Sequence, residues 1–389
     1  ISRLLSPRDI GYTIATSGNI QNGQFDINDL KYWHKTDTQG VDLQKYILED
    51  NDILLNFINS LARIGKSCVF KKQKRDWIFT TNLFRIKSNT KSTQQFLSYI
   101  LNTHSTMNQI NAITQPAVNQ ASFSQGSFKK IKIILPPLSE QQKIATILSN
   151  VDNLIESTVQ VITNSKKVKT GLMQKLLTRG IGHTKFKKVP WLFGKEIEIP
   201  EEWDLSKFKE ITVNHKQGFY TEEPYSDNGI KLIRISDLHN PKLSYETMPK
   251  LTLDEKMITQ FSVSVGDFLF ARTGAGIGTF GIITEDTPCV FASYLIRFSF
   301  NQEFVNNEFL GYVYESTIIL KQQNIIRQGS SNTNINAENI KSLKLFIPPL
   351  QEQQKIASIL SNIDSKITSQ EQYKEKLEKL KKSLMQKLL

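Results

Sequence analysis

The stretch PPLSEQQKIATILSNVD (136–152) returns 212 positions later as PPLQEQQKIASILSNID (348–364), with fourteen of seventeen positions identical. The three exceptions are Ser139/Gln351, Thr146/Ser358 and Val151/Ile363. The segment MQKLL (173–177) recurs at 385–389 with the same offset, so the two segments match without a gap. The chain therefore holds one segment of about 40 residues twice.

A looser repeat precedes each copy. The aligned pairs are FTTNLFRI (79–86) with FASYLIRF (291–298), FLSYIL (96–101) with FLGYVY (309–314), and SGNIQNGQF (17–25) with ISDLHNPKL (235–243). Each half is thus a variable domain followed by a nearly constant segment.

The constant segment has the pattern of a long helix. Ser139 is placed to cap the helix, and Gln142, three residues later, can reach back to it as in a capping box. Gly180 follows as a C-terminal stop. Apolar residues recur at spacings that sum in threes and fours, which is the a/d pattern of a coiled coil. The predicted seam consists of Ile144, Leu148, Val151, Ile155, Ile162 and Leu172 in the first copy, and Ile356, Leu360, Ile363, Ile367, Leu377, Leu380, Leu384 and Leu388 in the second.

Two such helices, each roughly 60 Å long at 1.5 Å per residue, would expose their seams if they stood alone. We therefore expect them to pack against each other as antiparallel partners, related by a pseudo-twofold axis. The variable domains show short strand-like runs between Gly, Asn and Asp turns. These runs are 52–58, 76–86, 230–235 and 268–272. With one helix expected per domain, around 92–110 and 305–323, the predicted fold class is α+β, with two similar globules separated by two long antiparallel coiled-coil helices.

Charge and composition point to a polyanionic partner. The net charge is +12, and residues 1–195 carry 27 Lys+Arg against 12 Asp+Glu, whereas residues 196–389 carry 22 against 25. Blocks such as KKQKR (71–75) supply much of this excess, although a charge run is also compatible with an ordinary solvated face. The sequence contains no apolar run long enough to span a bilayer, no secretory signal and only two cysteines, so a cytoplasmic location is expected.

Three stretches that invite a catalytic interpretation do not carry the chemistry. ARIGKS (62–67) lacks the first glycine of a phosphate-binding loop, and GIGTFG (276–281) leads into a strand-like run rather than a dinucleotide-binding helix. The PP pairs at 136–137 and 348–349 lack the Asn or Asp and the aromatic residue that adenine methyltransferases place around them. The five histidines show no ligand spacing, so neither a catalytic nor a metal site is predicted.

The sequence resembles the DNA-specificity subunits of type I restriction-modification systems. The resemblance rests on the doubled PPLxEQQKIA(T/S)ILSN(V/I)D with MQKLL, on IPEEW (199–203), and on TSGNIQNG (16–23) and RTGAGIG (272–278), and it covers essentially the whole chain. One part differs: the first domain has no counterpart of residues 197–218 and Ile1 is not Met, so we expect a truncated start.

The resemblance implies a division into five parts. These are a first target-recognition domain (1–135), a spacer helix (136–180), a linker (181–196), a second target-recognition domain (197–347) and a second spacer helix (348–389). Each recognition domain would read one half of a split, non-palindromic double-stranded DNA site, with half-site centres about one helical turn apart. The spacer would dock two modification (methyltransferase) subunits, and restriction (translocase and nuclease) subunits would complete the enzyme. No cofactor is expected on this chain, since S-adenosylmethionine, ATP and Mg belong to the partner subunits.

Base recognition requires polar side chains on loops, with Lys and Arg on the phosphates around them. The candidates in the first domain are Ser17, Asn19, Gln21, Asn22, Arg63, Lys66, Lys71, Lys72, Asn119 and Gln120. In the second domain they are Arg234, Ser236, His239, Arg272, Thr273, Arg327, Gln328, Ser330, Ser331 and Asn332. For each one the alternative is a turn residue that satisfies its own backbone. Two other functions also stay open: a coiled-coil scaffold with two protein-binding domains, and the specificity subunit of a fused methyltransferase-nuclease.

Overall fold

A computed structural model describes residues 5–21, 23–36, 40–118, 120–273, 277–328 and 334–389, with the backbone alone for 327 and 328. The chain divides into two compact units. The first unit comprises Ile1–Gln160 and Glu371–Leu389, and the second comprises Val161–Gln370. This division cuts both long helices, so each unit contains the beginning of one helix and the end of the other.

The first unit combines short strands with three short helices and parts of both long ones. Its strands are β1 (Gly11–Ala15), β2 (Ile20–Gln21), β3 (Gln24–Phe25), β4 (Tyr32–His34), β5 (Ile53–Asn56), β6 (Ile58–Asn59), β7 (Ser67–Val69), β8 (Trp77–Phe79), β9 (Leu83–Ile86), β10 (Gln115–Pro116) and β11 (Ala121–Ser122). Its helices are α1 (Gln94–Leu101), α2 (His104–Ile113), α3 (Gln125–Phe128) and the first part of α4 (Leu138–Arg179).

The sheets of the first unit have buried side chains on both faces. Strand order is β4-β1-β8 in one sheet and β7-β5-β9 in another, with β1 and β8 parallel. Successive residues alternate between two cores: Ile14 and Ile78 join one, while Ala15 and Trp77 join the other. This alternation follows from the two-residue period of a strand.

The second unit has more strands and a larger core. Its strands are β12 (Phe186–Pro190), β13 (Glu196–Pro200), β14 (Asp204–Lys207), β15 (Thr212–Gln217), β16 (Ile230–Ile233), β17 (Leu238–His239), β18 (Lys242–Leu243), β19 (Lys250–Leu251), β20 (Phe268–Ala271), β21 (Phe280–Ile282), β22 (Cys289–Phe291), β23 (Leu295–Phe300) and β24 (Lys344–Ile347). Its helices are α5 (Phe208–Ile211), α6 (Glu255–Phe261), α7 (Asn307–Glu315), α8 (Thr317–Gln328), α9 (Ala337–Ser342), the end of α4, and the first part of α10 (Leu350–Leu388).

A four-stranded sheet, β15-β23-β20-β21, separates two cores in this unit. Phe268 and Phe270 face the core that contains the helix pair, and Leu269 faces the other. The arrangement around β16 repeats that around β1, because each has one antiparallel neighbour and one parallel neighbour. The weak upstream repeat in the sequence is therefore also a structural repeat.

The long helices pack antiparallel within each unit, as predicted. In the first unit, Ile144 and Leu148 of α4 share a cluster with Leu384 and Leu388 of α10, whereas Ile155, further along α4, meets Leu377. In the second unit, Leu172 and Leu176 share a core with Ile356 and Leu360. The predicted α+β class with an internal repeat is confirmed.

Several local predictions are corrected. Helix α4 begins at Leu138, so Ser139 lies inside the helix and not at its cap. Leu380 is 48% exposed and lies outside the seam. Each domain has two consecutive helices where one was predicted, and the run 76–86 forms two strands. The predicted stop is confirmed, since α4 ends at Arg179 and Gly180 has a φ of +64°.

Candidate nucleic-acid interface and helix faces

The first predicted recognition turn is held together by Asn19. Its side chain accepts a hydrogen bond from the Thr16 amide (2.8 Å) and donates to the carbonyls of Asp26 (2.8 Å) and Asp29 (2.9 Å). Asn19 is fully buried and its hydrogen bonds serve its own turn, and its contact with DNA stays a prediction. Gln21 is exposed and Ser17 is half-buried, while Asn22 lies outside the described residues.

The equivalent turn in the second unit uses Arg234 and Asp237. The buried Asp237 carboxylate accepts from the Arg234 amide (2.8 Å) and from its guanidinium (2.9 and 3.1 Å). This hydrogen bond with Asp237 raises the pKa of Arg234. The Arg234 guanidinium is thus used by its own turn and also donates to the Thr247 carbonyl, and its contact with DNA stays a prediction. Ser236 and His239 remain exposed.

His239 lies on a small hairpin, β17–β18, that is fastened to β21. The Phe280 amide donates to the Asn240 side-chain oxygen (2.7 Å), and the Ile282 amide donates to the Pro241 carbonyl (2.8 Å). A Cβ at Gly281 would lie 2.9 Å from Leu243. The strand-like run expected at the end of GIGTFG is confirmed as β21, which pairs antiparallel with β20 and lies close to this neighbouring hairpin.

The basic candidates of the first unit lie on exposed turns. Arg63 is exposed and Lys66 half-buried in the turn before β7, so ARIGKS leads into a strand and not into the helix of a phosphate-binding loop. Lys71 donates to the Asn51 side chain (2.8 Å), and the Lys72 side chain is exposed. Gln120 is exposed. Asn119 is not among the described residues.

Of the remaining candidates, Arg272 and Thr273 directly follow the end of β20. The Arg272 amide donates to the Tyr294 carbonyl, and the Arg272 carbonyl accepts from the Ile335 amide. Arg272 Nε is buried without a hydrogen-bond partner among the described residues, and Thr273 beside it is half-buried. Arg327 and Gln328 end α8, but their side chains are not described, and Ser330, Ser331 and Asn332 lie outside the described residues.

Two glutamines that sequence reasoning missed join each long helix to its globule. Gln141 accepts from the Thr93 amide (3.0 Å) and donates to the carbonyls of Lys91 (3.0 Å) and Pro136 (2.8 Å). Gln353 makes the same three bonds, to the Asn306 amide and to the carbonyls of Phe304 and Pro348. Both side chains are fully buried. The only available signal was the repeated EQQ.

A second missed feature is a polar node in each unit, formed by a tyrosine, an aspartate and a lysine. In the first node, Asp152 accepts from the Tyr99 hydroxyl (2.7 Å) and pairs with Lys381 (2.6 Å). The second node repeats these contacts: Asp364 accepts from the Tyr312 hydroxyl (2.9 Å) and pairs with Lys169 (2.7 Å). Each lysine ammonium also lies near its tyrosine ring, 5.7 Å and 5.2 Å from the centroid.

The beginning of α10 carries one further carboxylate, which is half-buried. Glu352 accepts from the Ile181 amide (2.8 Å), the His183 ring (2.9 Å) and the Trp203 indole (2.9 Å). A Cβ at Gly180 would lie 2.5 Å from the Glu352 carboxylate, so the glycine makes room for it. Trp203 is the last residue of IPEEW (199–203), so these contacts join that segment to the beginning of the second repeated helix.

The helix edge opposite each node is apolar and exposed. We call the exposed apolar residues along this edge the outer stripe. Each of them directly precedes an a position of the seam and therefore occupies position g. In an antiparallel pair the g positions of both helices flank the same edge of the seam. The stripe comprises Ile147, Leu154, Tyr373 and Leu380 in the first unit and Val161, Val168 and Ile359 in the second, with exposures from 37% to 54%. The position in the second copy that corresponds to Leu154 is occupied by Lys366.

None of the described residues forms a cluster of three or more His, Cys, Asp or Glu side chains suited to a metal ion. None of the described helices is long and apolar enough to cross a bilayer. What the two units present is a set of polar loops, a buried joint to the helices, and an exposed apolar edge.

Comparison with known proteins places these features in context. A family model described as type I restriction modification DNA specificity domain matches residues 9–164 and again 200–379. The chain is 32% identical to a putative type I restriction enzyme MjaX specificity subunit of Methanocaldococcus jannaschii, covering 98% of this chain and 87% of that protein. It is 31% identical to the MjaVIII specificity subunit of the same organism, covering 89% and 80% respectively.

Solved structures agree on the fold. The type I restriction-modification S subunit from M. genitalium is similar with a TM-score of 0.57 at 15% identity, covering 89% of this chain and 84% of that one. A second structure, from a study of complex assembly and conformational transition of the type I R-M system, gives a TM-score of 0.56 at 13% identity, with 97% and 90% covered.

Proposed function

Because this chain belongs to the family of type I restriction modification DNA specificity domains, we propose that it selects the DNA sites on which a type I restriction-modification enzyme acts. The observation that carries the proposal is the double match to the family model, one copy for each variable domain. Each domain reads one half-site. Since the two domains differ in sequence, the complete site is bipartite and asymmetric.

Exposed loop residues supply the contacts with DNA. In the first domain the described candidates that remain exposed are Gln21, Arg63, Lys71, Lys72 and Gln120. Polar side chains of this kind read base edges in the major groove, and lysines neutralise phosphates. In the second domain, Ser236 and His239 stand out from the turn and the fastened hairpin, which limits their motion and favours a fixed contact.

The outer stripe docks the modification subunits. Its exposed apolar residues recur at seven-residue intervals, which suits the apolar face of a partner helix. The stripe occurs in both units, so one chain takes two copies of the same partner. Each recognition domain contacts the other edge of the helices through its node, and the outer edge is therefore the one that stays open to a partner.

Catalysis belongs to the partners in this proposal. The chain itself contributes no reacting group and binds no cofactor; S-adenosylmethionine is held by the modification subunits, and ATP and Mg by the restriction subunits. The assembled enzyme works in the cytoplasm. The positive first half of the chain, at 27 Lys+Arg against 12 Asp+Glu, supports direct contact with DNA.

Methylome sequencing of cells with and without this chain tests the proposal. The expected result is a split, asymmetric adenine-methylation motif that disappears on deletion and returns with the wild-type gene. An Arg272→Ala variant should relax only one half of the motif if Arg272 contacts a base. A methylation pattern that does not change on deletion would refute the function.

A further inference from the structure

Each polar node joins the beginning of one long helix to the end of the other. Asp152 of α4 pairs with Lys381 of α10, and Asp364 of α10 pairs with Lys169 of α4. The two aspartates are 212 positions apart, and so are the two lysines. Both nodes therefore mark the same antiparallel register, each within its own unit.

The lysines occupy seam positions that would otherwise be apolar. Lys169 follows Ile162 by seven residues and precedes Leu176 by seven, so it stands at position a. A polar residue at such a position specifies register at a cost in stability. The Lys169 side chain is 19% exposed, and a partly buried charge is destabilising once its partner is removed.

An apolar seam alone does not fix the register, because a slip of seven residues places apolar residues opposite each other again. After such a slip in either direction, Asp364 would face Ile162 or Leu176 instead of Lys169. Its carboxylate would then lie against an apolar side chain with no cation to pair with. The second node therefore distinguishes the native register from both of its nearest competitors. In the first node the same slips would bring Asp152 opposite Leu388 or Lys374, so that node discriminates against only one of the two.

The tyrosine adds the recognition domain to the same carboxylate. Tyr99 lies on α1, whose residues Phe96 and Ile100 share a cluster with Leu148 of α4. Burial raises the pKa of the Tyr99 hydroxyl, and burial likewise raises that of Tyr312, so both groups remain hydrogen-bond donors at neutral pH. Each aspartate thus connects the long helix to which it belongs with the other long helix and with one globule.

We infer that Asp152 and Asp364 are positioning residues that set the number of base pairs allowed between the two half-sites. The inference rests on the proposed function. A seven-residue slip moves a helix by about 10 Å at 1.5 Å per residue. DNA rises about 3.4 Å per base pair, so such a slip corresponds to about three base pairs.

Charge exchange across one node is the decisive experiment. The full chain, assembled with its modification subunits, is tested for binding to duplexes that carry its methylation motif with the native gap or with gaps one to three base pairs longer or shorter. Asp152→Lys should reduce the preference for the native gap about tenfold, and adding Lys381→Asp should recover most of it. Asp152→Asn and Tyr99→Phe, which are nearly isosteric, cover the case in which the lysine variant does not fold.

The second node differs from the first by one additional carboxylate near its lysine. Glu315 lies 3.7 Å from Lys169, and the aligned residue in the first unit is Asn102. The double exchange Asp364→Lys with Lys169→Asp should therefore recover less, because the carboxylate introduced on α4 would face the Glu315 carboxylate.

Two results overturn the inference: equal weakening at every gap length, or no recovery in the exchanged first node. Either would leave the proposed function standing, provided that the wild type prefers one gap. A wild-type chain without any gap preference would instead refute the proposed function itself.

Discussion

Replacing Gln141 by alanine removes three hydrogen bonds at the beginning of α4, two of which tie the helix to the first globule. The carbonyls of Lys91 and Pro136 and the amide of Thr93 each lose a partner. A buried backbone group left without a partner costs about 1–3 kcal/mol. The lower end applies because Lys91 is exposed and Thr93 only half-buried, so we expect the free energy of unfolding to fall by about 3 kcal/mol.

Calorimetry measures this loss. For a unit of 150–250 residues, 1 kcal/mol shifts Tm by about 2–4 °C, so the first-unit transition should fall by about 6–12 °C. Hydrogen exchange should show the Thr93 amide losing protection. Gln142→Ala is the matched control, since Gln142 is the exposed neighbour on the same helix, and it should change the free energy of unfolding by less than about 0.5 kcal/mol.

The reasoning is refuted if Gln141→Ala and Gln142→Ala unfold at the same temperature. Gln353→Ala gives an independent repetition, since Gln353 makes the same bonds in the second unit. Its effect should appear in the second-unit transition. A loss confined to one of the two glutamines would contradict the equivalence of the two joints.

Glu315→Gln tests the second node by pH. Burial, with Asp364 nearby, raises the pKa of Glu315 above the usual 4.5, so the wild type loses stability as pH rises through that pKa. In denaturant titrations, the free energy of unfolding of the glutamine variant minus that of the wild type should therefore increase between about pH 4 and 7. This difference should vanish below about pH 4. Ile147→Asp should leave folding intact, because Ile147 is 43% exposed, but should weaken one of two modification-subunit sites about tenfold in sedimentation analysis, whereas Leu154→Lys, which copies the native Lys366, should be tolerated. Lys72→Ala should weaken binding to all sequences and reduce the slope of log K against log salt by about 1 if Lys72 contacts a phosphate; an unchanged slope would exclude that contact. Gly281→Ala should cost about 1–3 kcal/mol in calorimetry and weaken recognition of the second half-site, since its Cβ would meet Leu243 and Leu238 at 2.9–3.0 Å.

The sequence predicted the helices and their pairing because both depend on periodicity. Leu380 was misassigned for a physical reason: it stands three residues after Leu377 and four before Leu384, so spacing alone admits it to the seam. Only the partner helix decides which edge is buried. The single helix expected in the first globule is broken because the Thr103 side chain accepts from the Thr106 amide and so caps a new helix, which periodicity does not reveal. In the second globule the Ser316 hydroxyl donates to the Val313 carbonyl where α7 ends.

The candidate site was less accessible to sequence reasoning. Asn19 and Arg234 have the composition of DNA-reading residues, but both are used to close their own turns. Nothing local distinguishes an asparagine that faces inward from one that faces solvent. The nodes were missed because Asp152 and Lys381 meet only once the register of two distant helices is known.

The identities within the repeat have two different causes. Gln141 and Asp152 match their counterparts because both copies meet the same buried partners. Exposed residues match too: Gln142, Lys143 and Asn150 equal Gln354, Lys355 and Asn362, although the described contacts do not require those side chains.

The globules of the same chain have diverged far more than these exposed helix positions, so common origin alone does not account for the match. Packing constrains a buried residue, whereas an exposed residue is constrained by what it contacts outside the chain. An identical requirement at two separate places therefore favours one kind of partner bound twice, in the same orientation relative to each unit. If the exposed residues Gln142, Lys143 and Asn150 were changed to alanine without loss of modification-subunit binding, the partner would have to contact other residues of the helices.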